Sequence, residues 1–180
     1  MKPAPFEYQA PTTLREAIDL LVSDPEATLI AGRQSLMPVL AFRLAAPSTL
    51  VDLRRVSGLG NIAIGESGVR LGARVRWRDI EGDRQLVTAH PLLREAIAHV
   101  AHYQIRNRGT VGGSLAHADP AAELPGIAVT CDAEITLVGA LCPARAASVR
   151  VLLGLRPSLH RLRCRSPGLV RRLHCYYGGV

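Results

Sequence analysis

Between Ile105 and Glu123 the chain reads IRNRGTVGGSLAHADPAAE, and this stretch concentrates the groups able to do chemistry. Gly109 and the pair Gly112-Gly113 set a turn, Thr110 and Ser114 supply hydroxyls, and Asp119 and Glu123 supply carboxylates. Glycine admits φ > 0 and lets another group approach the backbone closely. A run of N–H groups exposed in this way forms an anion-binding concavity that suits a phosphate or a diphosphate. The hydroxyls of Thr110 and Ser114 can donate to the same oxygens. The plain alternative is a tight loop with capping residues, and spacing alone leaves both readings open. GTVGGS is not G-x-G-x-x-G and no Lys follows the glycines, so neither the dinucleotide fingerprint nor a Walker loop is present.

A second junction has the same character. Ala27 to Ala31 is a short apolar run that reads as a buried strand, and it ends in Gly32-Arg33-Gln34-Ser35 before a helical stretch from Leu36 to Leu44. Strand, glycine, polar residues and helix in that order make another possible anion cradle. His117, Asp119 and Glu123 were weighed as a metal or acid–base cluster, but they straddle Pro120, and capping or ligand hydrogen bonding is the simpler role. His99 and His102 lie three apart with no third ligand spaced to join them. Ser35 and Ser114 lack a G-x-S-x-G elbow. Trp77, the only tryptophan, reads as a packing residue ahead of a ring that stacks on a ligand. No catalytic acid, base or nucleophile and no metal site is assigned.

The elements that position these residues follow from periodicity. Leu14, Ala17, Ile18 and Leu21 fall at i, i+3, i+4 and i+7, and Thr13 with Glu16 has capping-box spacing, which predicts a helix from Thr13 to Val22. With the run at Ala27 to Ala31 and a strand at Thr49 to Leu53, the first lobe is β-α-β-α-β, ending near Arg55. Short strands at Asn61 to Ile64 and Val69 to Leu71 flank Gly65-Glu66-Ser67-Gly68, a hairpin signal. Helices are expected at Val75 to Glu81, at Pro91 to His102 and from about Ala121 to Thr130, the last with Asp119 as its N-cap and Pro120 at its first position. A strand is expected at Ala133 to Val138.

Charge is unevenly spread along the 180 residues. Residues 141–180 hold eight arginines and no Asp or Glu, which leaves fourteen basic and fifteen acidic residues before position 141, a net of −1. The high pI therefore belongs to the tail. Three of the four cysteines are there too, and no C-x-x-C pair supports zinc or iron–sulfur ligation. No apolar run reaches the length of a membrane span, and Met1 to Pro5 does not lead into a signal-peptide core, so a cytoplasmic protein is expected.

Two stretches taken together, AGRQSLMPVLAFRLAAPSTLVDL (Ala31 to Leu53) and IRNRGTVGGSLAHADPAAELP (Ile105 to Pro125), resemble the FAD-binding medium subunit of molybdenum hydroxylases. That is the family of aerobic carbon monoxide dehydrogenase and xanthine dehydrogenase, and the similarity covers about residues 1 to 139. The resemblance implies an α+β fold, a two-lobed FAD-binding domain of the molybdopterin dehydrogenase flavoprotein type. Its lobes would be residues 1–55 and 56–139. By position, Ala31, Gly32, Arg33, Gln34 and Ser35 would form the first diphosphate loop. Thr110, Val111, Gly112, Gly113 and Ser114 would form the second, and Glu123 would sit near the sugar or ribityl hydroxyls.

The same resemblance implies an electron-transfer role, from iron–sulfur centres through FAD to an acceptor such as NAD or a quinone. It implies a molybdenum-cofactor large subunit and an iron–sulfur small subunit as partners. One departure is plain: Arg33 stands where the family's first loop usually carries a second glycine. A side chain there can crowd a phosphate or demand a disfavoured backbone, and it can also pair with diphosphate oxygens.

After Gly139 the resemblance stops. Residues 140–180 form an Arg-rich tail, expected to be disordered or translated out of frame, with a shift near Gly139 to Cys142 favoured over a genuine basic extension. A nucleic-acid-binding module acting through Arg161, Arg163, Arg165, Arg171, Arg172, Tyr176 and Tyr177 is the alternative from another class, and a solvated run is favoured over it. A structural remnant that docks on partner subunits without a cofactor is the third.

Overall fold

A computed structural model of the chain describes residues 2–66, 68–139, 143–146 and 172–178. It begins with β1 (Glu7–Gln9), α1 (Leu14–Ser23), β2 (Thr28–Ile30), α2 (Leu36–Ala41) and β3 (Thr49–Asp52), the expected β-α-β-α-β order. The three strands form one parallel sheet in the order β1-β3-β2. Side chains alternate across a strand, so Val51 packs with Ala17 and Leu21 of α1 while Leu50 packs with Leu40 of α2. Helix α1 starts where its capping box dictates: the Glu16 N–H donates to Thr13 Oγ1 at 3.1 Å and the Thr13 N–H returns to Glu16 Oε2 at 3.4 Å.

The second half contains β4 (Ile62–Gly65), β5 (Gly68–Gly72), α3 (Trp77–Gly82), α4 (Arg84–Ala89), α5 (Pro91–Ala98), α6 (Tyr103–Arg106), α7 (Val111–His117), α8 (Glu123–Thr130) and β6 (Glu134–Val138), then β7 (Pro143–Ala146) and β8 (Arg172–Gly178). These strands make a five-stranded mixed sheet in the order β4-β5-β8-β6-β7. Strand β8 runs parallel to both β5 and β6 and lies between them. The main core joins this sheet to the helices through Val69, Leu71, Trp77, Ile80, Leu93, Ile97, Val111 and Leu124, all buried.

Helices α5, α7 and α8 differ from the sequence expectation for physical reasons. Helix α5 ends at Ala98 instead of reaching His102, because the carbonyls of Val100 and Ala101 accept from Arg106 Nη1 at 3.0 and 3.1 Å and Ala101 adopts φ +39°. Helix α8 begins at Glu123, not Ala121. Asp119 is not its N-cap: its carboxylate accepts from the Ala121 N–H at 2.9 Å and closes a turn before the helix. The Gly112-Gly113 pair is not in a loop but in the first turn of α7, behind the N-cap Thr110.

Candidate functional site

The turn from Ala31 to Ser35 leaves the C-terminal end of β2, beside the end of β3, which is where open α/β sheets offer their ligand crevice. The N–H groups of Gly32, Arg33, Gln34 and Ser35 have no acceptor among the described residues, and Ser35 makes no side-chain cap. Four consecutive free donors are the chemical content of an anion cradle.

The second glycine turn is brought directly against the first. A Cβ on Gly32 would lie 2.7 Å from the Arg108 carbonyl oxygen and 3.0 Å from both Gly109 Cα and Thr110 N, so the backbones touch and only hydrogen fits between them. Here the N–H groups are already engaged. Val111 donates to Val75, Gly112 to Ala73, Gly113 to Thr110 Oγ1 and Ser114 to the Thr110 carbonyl, at 2.9–3.2 Å. This turn therefore offers hydroxyls and a close backbone surface, and not the row of free N–H groups that its glycines imply. Gly112 serves packing: a Cβ there would meet Ala73 Cβ at 2.7 Å and its carbonyl oxygen at 2.9 Å.

Between the turns opens a cleft of about 740 Å³. Trp77, Val100, Ala101 and Ile105 line it, as do His117, Asp119 and Glu123. The lining thus combines free N–H donors with side-chain acceptors.

A family model for the FAD binding domain in molybdopterin dehydrogenase matches residues 4–148. The chain belongs to that family. This FAD-binding domain is 46% identical over 137 residues to the 6-hydroxypseudooxynicotine dehydrogenase complex subunit alpha of Paenarthrobacter nicotinovorans, covering 76% of this chain and 46% of that one. It is 37% identical over 140 residues to the carbon monoxide dehydrogenase medium chain of Hydrogenophaga pseudoflava, covering 77% and 49%. Among solved structures, quinoline 2-oxidoreductase from Pseudomonas putida 86 superposes with a TM-score of 0.78 at 45% identity, over 80% of this chain and 50% of that one. The chain spans about half the length of the relatives it matches. These relatives are subunits of oxidoreductases, and FAD is the family's cofactor.

The residues present in this FAD-binding domain fit that group. A diphosphate needs donors, and the free N–H row of residues 32–35 supplies them next to the hydroxyls of Thr110 and Ser114. Sugar and ribityl hydroxyls need acceptors, and Glu123 offers one at the first position of α8. Of the residues singled out in the sequence, Ala31, Gly32, Arg33, Gln34, Ser35, Thr110, Gly113, Ser114 and Glu123 line the cleft. Val111 and Gly112 do not, being buried beneath it. Trp77 is 3% exposed: it belongs to the core and shows the cleft only an edge.

Sequence reasoning missed the network under the first turn. Asp52 is fully buried and accepts from Tyr8 Oη at 2.6 Å, Arg33 Nη2 at 2.6 Å and the Arg54 N–H at 2.9 Å, and it forms an ion pair with Arg54, whose Nε lies 3.1 Å away. Burial pushes its pKa up, and the hydrogen bonds from Tyr8, the Arg54 N–H and Arg33 outweigh that and hold it below the ordinary carboxylate value. The available signal was an acid closing an otherwise apolar strand, Thr49-Leu50-Val51-Asp52. Arg106 was missed as well. It bridges Glu81 at 2.9 Å while holding Val100 and Ala101, and so shapes the lip of the cleft.

Arg161, Arg163, Arg165 and Arg171 lie outside the described residues, whereas Arg172, Tyr176 and Tyr177 fall in β8. Among the described residues no helix is long and apolar enough to cross a membrane.

Proposed function

We propose that this chain is the electron-transfer flavoprotein part of a molybdenum hydroxylase. On this reading the two lobes, residues 1–55 and 56–139, hold FAD between them. Electrons arrive from iron–sulfur centres on a small subunit, drawn from a molybdenum-cofactor large subunit, and leave to an acceptor such as NAD or a quinone. When bound, FAD supplies the redox chemistry, taking up and releasing electrons one or two at a time.

The chain's own residues bind and orient. The N–H groups of Gly32, Arg33, Gln34 and Ser35 hold the diphosphate, with the hydroxyls of Thr110 and Ser114 donating from the facing turn. Glu123 accepts from a sugar or ribityl hydroxyl. Val100 and Ile105 give the cleft apolar lining that would exclude water. No residue acts as an acid or base in this scheme. The observation that carries the reading is the free N–H row of the first glycine turn, held in backbone contact with the second across one cleft.

Titration of the purified chain with FAD tests it directly. Saturable binding with quenching of the single tryptophan, Trp77, is the expected result. A chain with a native far-UV spectrum that leaves FAD free at 100 μM, a concentration on the order of a weak ligand's Kd, would overturn it.

A further inference from the structure

Arg33 is a side chain placed where the backbone favours none. Its φ is +69°, in the left-handed region that crowds Cβ against the carbonyl. Its guanidinium reaches away from the backbone N–H row and donates through Nη2 to Asp52 Oδ2 at 2.6 Å. That oxygen is crowded, since Tyr8 Oη also donates to it and Arg54 Nε lies 3.1 Å away as an ion-pair partner.

The two arginines are held unequally. Arg54 donates to Tyr8 Oη through Nε and Nη2, stacks over the Tyr8 ring at 5.4 Å, donates its backbone N–H to Asp52, and pairs with that carboxylate as an ion. Arg33 has the single bond to Asp52 and a side chain that is 38% exposed. If Arg33 leaves, Asp52 keeps a hydroxyl, an amide and a guanidinium, so no buried charge is stranded. Arg33 lines both the main cleft and a second one of about 530 Å³, which it shares with Arg54 and Arg108. Arg108 has no ion-pair partner among the described residues, and Arg33 and Arg54 share the single carboxylate of Asp52.

We propose that Arg33 is a transferable diphosphate ligand: its guanidinium rests on Asp52 and passes to the diphosphate of FAD, while Arg54 keeps Asp52 neutralised. The move exchanges one carboxylate oxygen for a group bearing two negative charges, and it leaves Asp52 to Arg54 instead of sharing it between two guanidinium groups. It rests on the reading of the main cleft as the FAD site. Arg54, which does not line that cleft, acts as a positioning residue by freeing Arg33.

The test is the FAD dissociation constant of the whole chain, read by flavin fluorescence, for the wild type and for Arg33→Gln, Arg33→Gly and Arg54→Met. Inorganic pyrophosphate serves as competitor, and far-UV circular dichroism checks the fold. Arg33→Gln is expected to weaken FAD binding about tenfold and to raise the inhibition constant of inorganic pyrophosphate by a similar factor. Arg33→Gly relaxes the left-handed turn, so its affinity loss must come from the missing guanidinium and not from misfolding. Arg54→Met leaves Asp52 dependent on Arg33, and it is expected to weaken FAD binding severalfold. The double variant should lose little beyond Arg33→Gln alone.

Unchanged or tighter FAD binding by both Arg33 variants, with the wild type binding normally, overturns the transfer and leaves the cleft reading standing. Additive losses in the double variant overturn Arg54's part. Failure of the wild type to bind FAD removes the cleft reading and this proposal together.

Discussion

The ionisation of Asp52 is written into the stability of the three-stranded sheet that β3 centres. Its pKa lies below the ordinary value, so the ionised form stabilises the fold above the unfolded pKa of about 3.9. That contribution is lost as pH falls through the lower, folded value. Asp52→Asn removes the charge that Arg33 and Arg54 share, and it is expected to cost about 1–3 kcal/mol at pH 7. The variant's stability should also change less than the wild type's between pH 5 and pH 2. Urea denaturation at a series of pH values checks both, and parallel wild-type and variant curves would refute the assignment. At this scale the sequence was partly legible. Gly32, Thr110, Ser114 and Glu123 stand out by type and spacing and do line one cleft. Tyr8, Asp52 and Arg54 were not legible, because an ion-pair network joins residues 44 and 46 positions apart.

Among the elements, α1 and α5 were read from periodicity because each buries a stripe at helical spacing, with Ala17, Ile18 and Leu21 on α1 and Leu93 and Ile97 on α5. Their caps differ. Thr13 and Glu16 close a box by local spacing alone, so Thr13→Ala should lower stability by about 1 kcal/mol and leave FAD affinity unchanged. Chemical denaturation paired with an FAD titration separates the two effects. Helix α5 is capped by a buried histidine: the Leu93 N–H donates to His90 Nδ1 at 3.2 Å. Helix α7 was misread as a loop, since two glycines at its start carry a propensity penalty of about 1 kcal/mol each. Packing overrides that penalty, because Gly112 must pass within contact of Ala73 for the turn to reach the cleft.

For the molecule as a whole, the cleft exists only where both halves of the chain meet. FAD bridging them should therefore stabilise the fold. At a hundredfold excess over Kd the expected gain is about 2.7 kcal/mol, or an upward shift in Tm of about 5–10 °C. Gly32→Val is the matched control. Its side chain would enter the contact with Arg108 and Thr110, forcing the two turns apart, so it should abolish the FAD-dependent shift. Differential scanning fluorimetry with and without FAD reads both, and an equal shift in the variant would disprove the contact's role.

The sequence by itself determined the α+β order, the amphipathic faces and the two glycine motifs, because each follows from neighbours within one or two turns of chain. Family membership was legible from those same motifs. Only tertiary structure decided that the turns at residues 31–35 and 109–114 touch, since contact between segments over seventy residues apart depends on how both sheets pack. It also decided which turn keeps its N–H groups free. Those of the second turn are spent on Ala73, Val75 and Thr110, partners set by packing and capping, and those of the first are left for a ligand.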